Sequence, residues 1–177
     1  MGYGVEEELA STINDEIGFG TGVAFAILNA VGFLLPATIL QPLTEKIGRV
    51  KTHTICIAIM AIGYSLIYMM PPSQTSLFIL MAFVGIGWGA VVSLPFAIMS
   101  EVIDQRRMGL FMGLFNLSVV VPQIFASLSG EYLDTVDKSS IFLICAASLS
   151  ISAVLWLLVK EQKSDTQASL EGAGGAH

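Results

Sequence analysis

The amino-acid sequence predicts an all-α integral membrane protein with five transmembrane helices, and three observations carry that prediction. Hydrophobic residues make up 54% of the 177-residue chain and charged residues only 12%, against about 45–50% and about 25% in ordinary soluble domains. The uncharged residues gather in five runs, 17–43, 52–70, 76–100, 108–130 and 139–159, each close to or above the roughly 20 residues that a helix needs to cross ~30 Å of hydrocarbon. Seven of the eight basic residues then fall in connections on one side of those runs, the asymmetry by which short cytoplasmic loops set a topology.

Taken in order, residues 1–16 carry Glu6, Glu7, Glu8, Asp15 and Glu16 and read as an acidic outer loop. Their start lacks the basic stretch of a signal peptide, and Glu6 stands where a myristoylation signal needs Ser or Thr. The first apolar run is therefore expected to act as its own insertion signal. It ends at Gln41, Pro42 and the charged cluster 45–51; Pro71-Pro72-Ser73 turns the second run into the third, and 101–107 and 131–138 separate the others. Connections this short suit a compact helical bundle. Lys46, Arg49, Lys51, Arg106, Arg107, Lys160 and Lys163 share one side and Lys138 stands on the other, which places the N-terminus outside and the C-terminus in the cytoplasm. Residues 160–177, polar and rich in Gly and Ala, are expected to be a disordered cytoplasmic tail.

The charge balance removes whole classes of function. A net charge of -6 and a pI near 4.7 leave no excess of basic charge to hold a phosphate backbone, so nucleic acid is not a partner. Cys56 and Cys145 lie inside apolar runs and read as small buried hydrophobes rather than a disulfide. His53 and Cys56, three apart, do not make a metal site by themselves. No metal or other cofactor is expected. The cores of the five runs read as free of ionisable side chains at depth, so no proton relay is expected in them. With no Ser/His or carboxylate pair there, the chain is not expected to be an enzyme.

Helical spacing sorts the remaining residues onto faces. Gly109, Gly113, Asn116, Val120, Gln123 and Ser127 form a small, polar face of the fourth run; Gly18, Gly22, Asn29, Gly32 and Pro36 form a stripe on the first; Gly85 and Gly89 pair on the third. The glycines read as sites of close helix packing. Asn29, Asn116 and Gln123 either bond across helices or line a polar substrate path. Pro36, Pro95 and Pro122 lie inside runs and are expected to bend or break their helices. The run from Gly85 to Gly89 follows no strand and is not a dinucleotide motif.

Two stretches add a resemblance. Gln41-Pro42-Leu43-Thr44-Glu45-Lys46-Ile47-Gly48-Arg49-Val50-Lys51 resembles the cytoplasmic signature of the major facilitator superfamily, departing from it at Gln41, where the family favours Gly. Leu94-Pro95-Phe96-Ala97-Ile98-Met99-Ser100-Glu101, followed by the segment from Met108 through Asn116 to Pro122-Gln123, resembles the sucrose/proton symporter branch of the glycoside-pentoside-hexuronide transporters.

The resemblance implies the eighth to twelfth helices of a twelve-helix fold, a partial C-terminal six-helix bundle whose partners are the lipid bilayer, a small-molecule sugar and a missing N-terminal helical half. It implies proton-coupled symport of a disaccharide such as sucrose or maltose across the plasma (inner) membrane, with the coupling carboxylate in that missing half. Asn116, Gln123 and Asn29 would then bond sugar hydroxyls, and Trp88 or Tyr64 could stack on a sugar face. Glu45, Lys46, Gly48, Arg49 and Lys51 would form the cytoplasmic gate, with Glu101, Asp104, Arg106 and Arg107 as charge partners. The alternative is a non-transporting scaffold or a homo-oligomeric small membrane protein joined through its glycine faces.

Overall fold

The computed structural model of the chain describes residues 2–70 and 73–160, which are helical apart from short connections, with no strand among them. Helix α1 (Gly2–Leu35) runs through a π-helical turn (Pro36–Leu40) into α2 (Gln41–Ile47); α3 (Arg49–Met69), α4 (Gln74–Val102), a 3₁₀ turn (Gln105–Arg107), α5 (Met108–Leu128), α6 (Gly130–Asp134) and α7 (Ser140–Trp156) follow. Four helices have the length and apolarity to cross a membrane, with Ser140–Trp156 a shorter apolar one. Three i−3 backbone hydrogen bonds, from Leu157, Leu158 and Val159, extend that last helix as a tight turn.

The first correction is at the N-terminus. The expected loop over 1–16 is helix from Gly2 onward. Leu9, Ile13 and Ile17 recur every fourth residue there, and no proline interrupts them. The hydroxyls of Ser11 and Thr12 donate to the Glu8 carbonyl at 2.8 and 2.9 Å, so they reinforce the turn. The Pro71-Pro72 turn and the tail beyond Lys160 lie outside the described residues.

Four helices pack in a row, α1 on α4, α4 on α3 and α3 on α7. Glycine sets the spacing. A Cβ added at Gly89 would stand 2.7 Å from the Gly32 carbonyl oxygen, and one at Gly85 would stand 2.8 Å from that of Leu28, so α1 and α4 meet backbone to backbone. Gly87, on the other side of α4, does the same for α3: its Cβ would stand 2.3 Å from Met60 Cβ. Gly32 is also the residue whose carbonyl Pro36 cannot serve, since proline has no N–H. Val84 and Ala90, both 0% exposed, seal the two sides of that contact.

The small stripe foreseen on α1 is only partly the packing face. The buried residues are Gly20, Ala24, Leu28, Gly32 and Leu35; Gly18 and Gly22 meet nothing within 4 Å. At about 100° per residue the two faces lie roughly 100° apart and share Gly32. Small residues carry the same sequence signature on either face; what selects the packed one is the company of Ala24, Leu28 and Leu35. Prolines 95 and 122 do not end their helices: α4 and α5 run on through them.

Large apolar side chains such as Phe19, Phe25, Phe33, Val92 and Leu110 point outward, as a lipid-facing surface requires. Among the described residues, helix α5 stands outside the row, its main packed neighbours being the 3₁₀ turn and α6. Its chief link to the bundle is an edge-on contact of Phe115 with Phe96, 6.4 Å between ring centres.

Adding a methyl at the tight glycines tests this packing. We expect Gly87→Ala and Gly89→Ala each to cost about 1–3 kcal/mol, the usual penalty of overpacking, measured as detergent unfolding of the purified chain. Gly109→Ala and Gly113→Ala, with open space around them, are expected to be neutral or to stabilise by up to ~1 kcal/mol through helix propensity.

Candidate functional site

The basic motif between the first two spans is built around one residue. Gly48 has φ 92° and ψ 159°, the sole positive φ among the described residues. Its N–H donates to the Thr44 carbonyl at 2.9 Å and closes α2; its carbonyl accepts from Thr52 N–H at 3.1 Å and from Thr52 Oγ1 at 2.7 Å and opens α3. The hinge is therefore fully hydrogen-bonded while needing a backbone that only glycine adopts without strain. Gln41, where the resembled signature has glycine, is helical and its amide donates to Glu45 at 3.4 Å. Lys46 and Lys51 are exposed and Arg49 is half-buried.

At the junction of α4 and α5, Asp104 turns inward on its own loop. Its carboxylate accepts from Arg106 N–H at 3.0 Å and its carbonyl from Arg107 N–H at 2.9 Å, so it caps the 3₁₀ turn. The arginine side chains are exposed. The side chain of Glu101 lies outside what is described.

The three residues foreseen on a sugar are not gathered into one place. Asn116 and Gln123 lie on α5, exposed and without a side-chain hydrogen bond among the described residues. Asn29 lies on α1, which shares no packed interface with α5, and its Nδ2 donates to the Phe25 carbonyl at 2.8 Å. Tyr64 is half-buried and stacks on Phe142, 6.1 Å between centres, so its ring is already engaged. Trp88, at 40% exposed, lays its Cδ1 against Gly32 and keeps one side open.

Two cavities open near the other end of the bundle. One, of about 510 Å³, is lined by Thr12, Asp15, Glu16, Phe19 and Gln74; the second, of about 530 Å³, by uncharged residues of α3, α4 and α7, Tyr68, Ser76 and Phe142 among them. Neither contains a foreseen sugar contact.

Sequence reasoning missed the burial of one group. His53, in the first turns of α3, is an ionisable side chain 2% exposed between helices. Its ring meets Trp156 edge-on at 4.4 Å and lies by the Ala90 backbone, and Nδ1 has no hydrogen-bond partner. The signal was its spacing: positions 53, 56, 57, 60 and 61 make the buried face of α3. Cys56 and Cys145 are both free thiols. No group of three or more His, Cys, Asp or Glu able to hold a metal occurs among the described residues.

A sequence model described as Major Facilitator Superfamily matches residues 8–176. No curated protein matches the chain, and no solved structure matches it.

Two substitutions probe these local arrangements by thermal unfolding in micelles. Gly48→Ala forces a side chain into a region that costs about 1–3 kcal/mol and is expected to lower the transition. His53→Phe keeps a ring against Trp156 and removes both the unsatisfied Nδ1 and the imidazole's hydrogen bond to the Ala90 backbone; the two effects oppose each other, and the transition is expected to move by less than about 1 kcal/mol.

Proposed function

The chain belongs to the major facilitator superfamily, whose members carry substrates across membranes, and from that premise we propose that it is the C-terminal half of a proton-coupled sugar carrier. In this reading it works by alternating access with an N-terminal helical half that holds the proton-coupling carboxylate. The substrate is a disaccharide such as sucrose or maltose. The protein sits in the plasma membrane with its N-terminus outside and its C-terminus in the cytoplasm, so that the hinge at Gly48 and its charged neighbours Glu45, Lys46, Arg49 and Lys51 form the inner gate.

The observation that supports this reading is the polar stripe of α5. A helix of membrane-crossing length presents Asn116 and Gln123 with nothing to bond them. In hydrocarbon an unbonded amide costs roughly 2–7 kcal/mol, so the stripe needs hydroxyls or water against it, and a sugar path supplies both. Asn29 serves less, because its amide N–H already binds its own helix. Trp88 rather than Tyr64 is the ring with a free side for stacking.

Proton-driven uptake of labelled sucrose and maltose by the complete carrier in liposomes tests this. Asn116→Ala and Gln123→Ala are each expected to lower kcat/KM about tenfold or more, the equivalent of one lost hydrogen bond of ~1.4 kcal/mol; Asn29→Ala is expected to have a smaller effect. Unchanged uptake in both of the first two variants would refute the site. Sugar transport by this chain alone would refute the half-carrier reading.

A further inference from the structure

The join between α1 and α2 places two leucine-sized residues, Ile39 and Leu40, beside one core site. Along α1 the buried face advances in steps of four or three, Gly20, Ala24, Leu28, Gly32, Leu35. The next residue on that face of an α-helix would be Ile39. Instead Leu40 is buried, at 2% exposed, and Ile39 stands out at 55%. The π turn makes the difference: Gln41 N–H reaches back five residues to the Pro36 carbonyl, which takes in one extra residue and brings Leu40 round onto the face of Leu35. Leu40 then fills a core site formed by Leu35, Cys56, Ala90 and Leu94.

Little holds that choice in place. Pro36 denies the Gly32 carbonyl its α-helical donor in either register, and Thr38 Oγ1 bonds the Leu34 carbonyl at 2.8 Å. Ile39 and Leu40 have the same volume and apolarity, and swaps of that kind are the best tolerated in a core. Downstream, Gly48 is a glycine-only joint before α3. We propose that Ile39 and Leu40 are alternative occupants of this one core site, and that a one-residue slip from π to α turns α2 about its axis. The turn is about 100° with a shift of ~1.5 Å, and it carries Glu45 and Lys46 with it while Gly48 takes up the twist. Ile39 and Leu40 are thereby positioning residues for the charged motif. The link to gating rests on the reading of that motif as the inner gate; the slip itself does not.

Spin labels on Lys46→Cys and on the exposed Val92→Cys of α4, in full-length chain carrying Cys145→Ala and reconstituted in nanodiscs, report the azimuth of α2 as a distance. Cys56 is buried and stays unlabelled. The parent is expected to show one main distance, that of the π register. Leu40→Ala weakens one occupant and is expected to raise the population of a second, resolved distance at least tenfold. Ile39→Ala weakens the other and is expected to keep the first distance alone. Deletion of Ile39 removes the extra residue, leaves Leu40 in the site within an ordinary α turn, and is expected to keep the first distance too. A Leu40→Ala distribution equal to the parent's, or broadened without a second maximum, overturns the proposal, as does a second distance in the deletion. Sugar uptake plays no part in this readout, so failure of the carrier reading and failure of the slip are told apart.

Discussion

Everything in this bundle depends on how closely α4 can approach its two neighbours. Inside a bilayer, lipid tails are as apolar as leucine, so burial gives helices no reason to associate; close van der Waals contact must do it. Gly85 and Gly89 face α1 and Gly87 faces α3. The two sets lie on opposite sides of one helix because residues two apart are about 200° round it. α4 is thus the middle board of the row, and α7 is held at one remove, through α3.

The same geometry explains the join at the end of α1. Contact at Gly32 brings the two backbones together where Pro36 has removed a hydrogen bond, and the freed carbonyl points at Gly89 rather than at an amide. A Cα–H donor is a weak substitute. The loosened turn then widens instead of breaking, since Leu40 gains a core site by doing so.

The spans were legible because the bilayer imposes one length on every helix, and the charged residues had nowhere else to go. The N-terminal extension of α1 was not, since Glu6 to Glu8 look alike in a solvated loop and in a solvated helix. The packing glycines were half legible: Gly85 and Gly89 are among them, whereas Gly18, Gly22, Gly109 and Gly113 carry the same spacing without a neighbour. Spacing shows which residues share a face; it does not show which face another helix takes. Asn116 and Gln123 were legible as one stripe for the same reason, while their separation from Asn29 depends on the order of helices in the row. His53 escaped because a residue near the end of a span reads as interfacial until α7 is seen to cover it.

From Gly2 to Ile47 the chain is helical without a break, through the π turn, about 69 Å long at ~1.5 Å per residue, more than twice the ~30 Å of hydrocarbon. A helix of that length exceeds what the hydrocarbon can hold, and the end that carries Glu8, Asp15 and Glu16 is the one whose side chains need water. Asp15 and Glu16 adjoin Ile17, whereas Glu8 lies seven and eight residues from them, roughly 10–12 Å along the axis. The screening length in physiological salt is about 8 Å. The carboxylates of this end are accordingly split into two electrostatic tiers along the helix axis, each largely screened from the other.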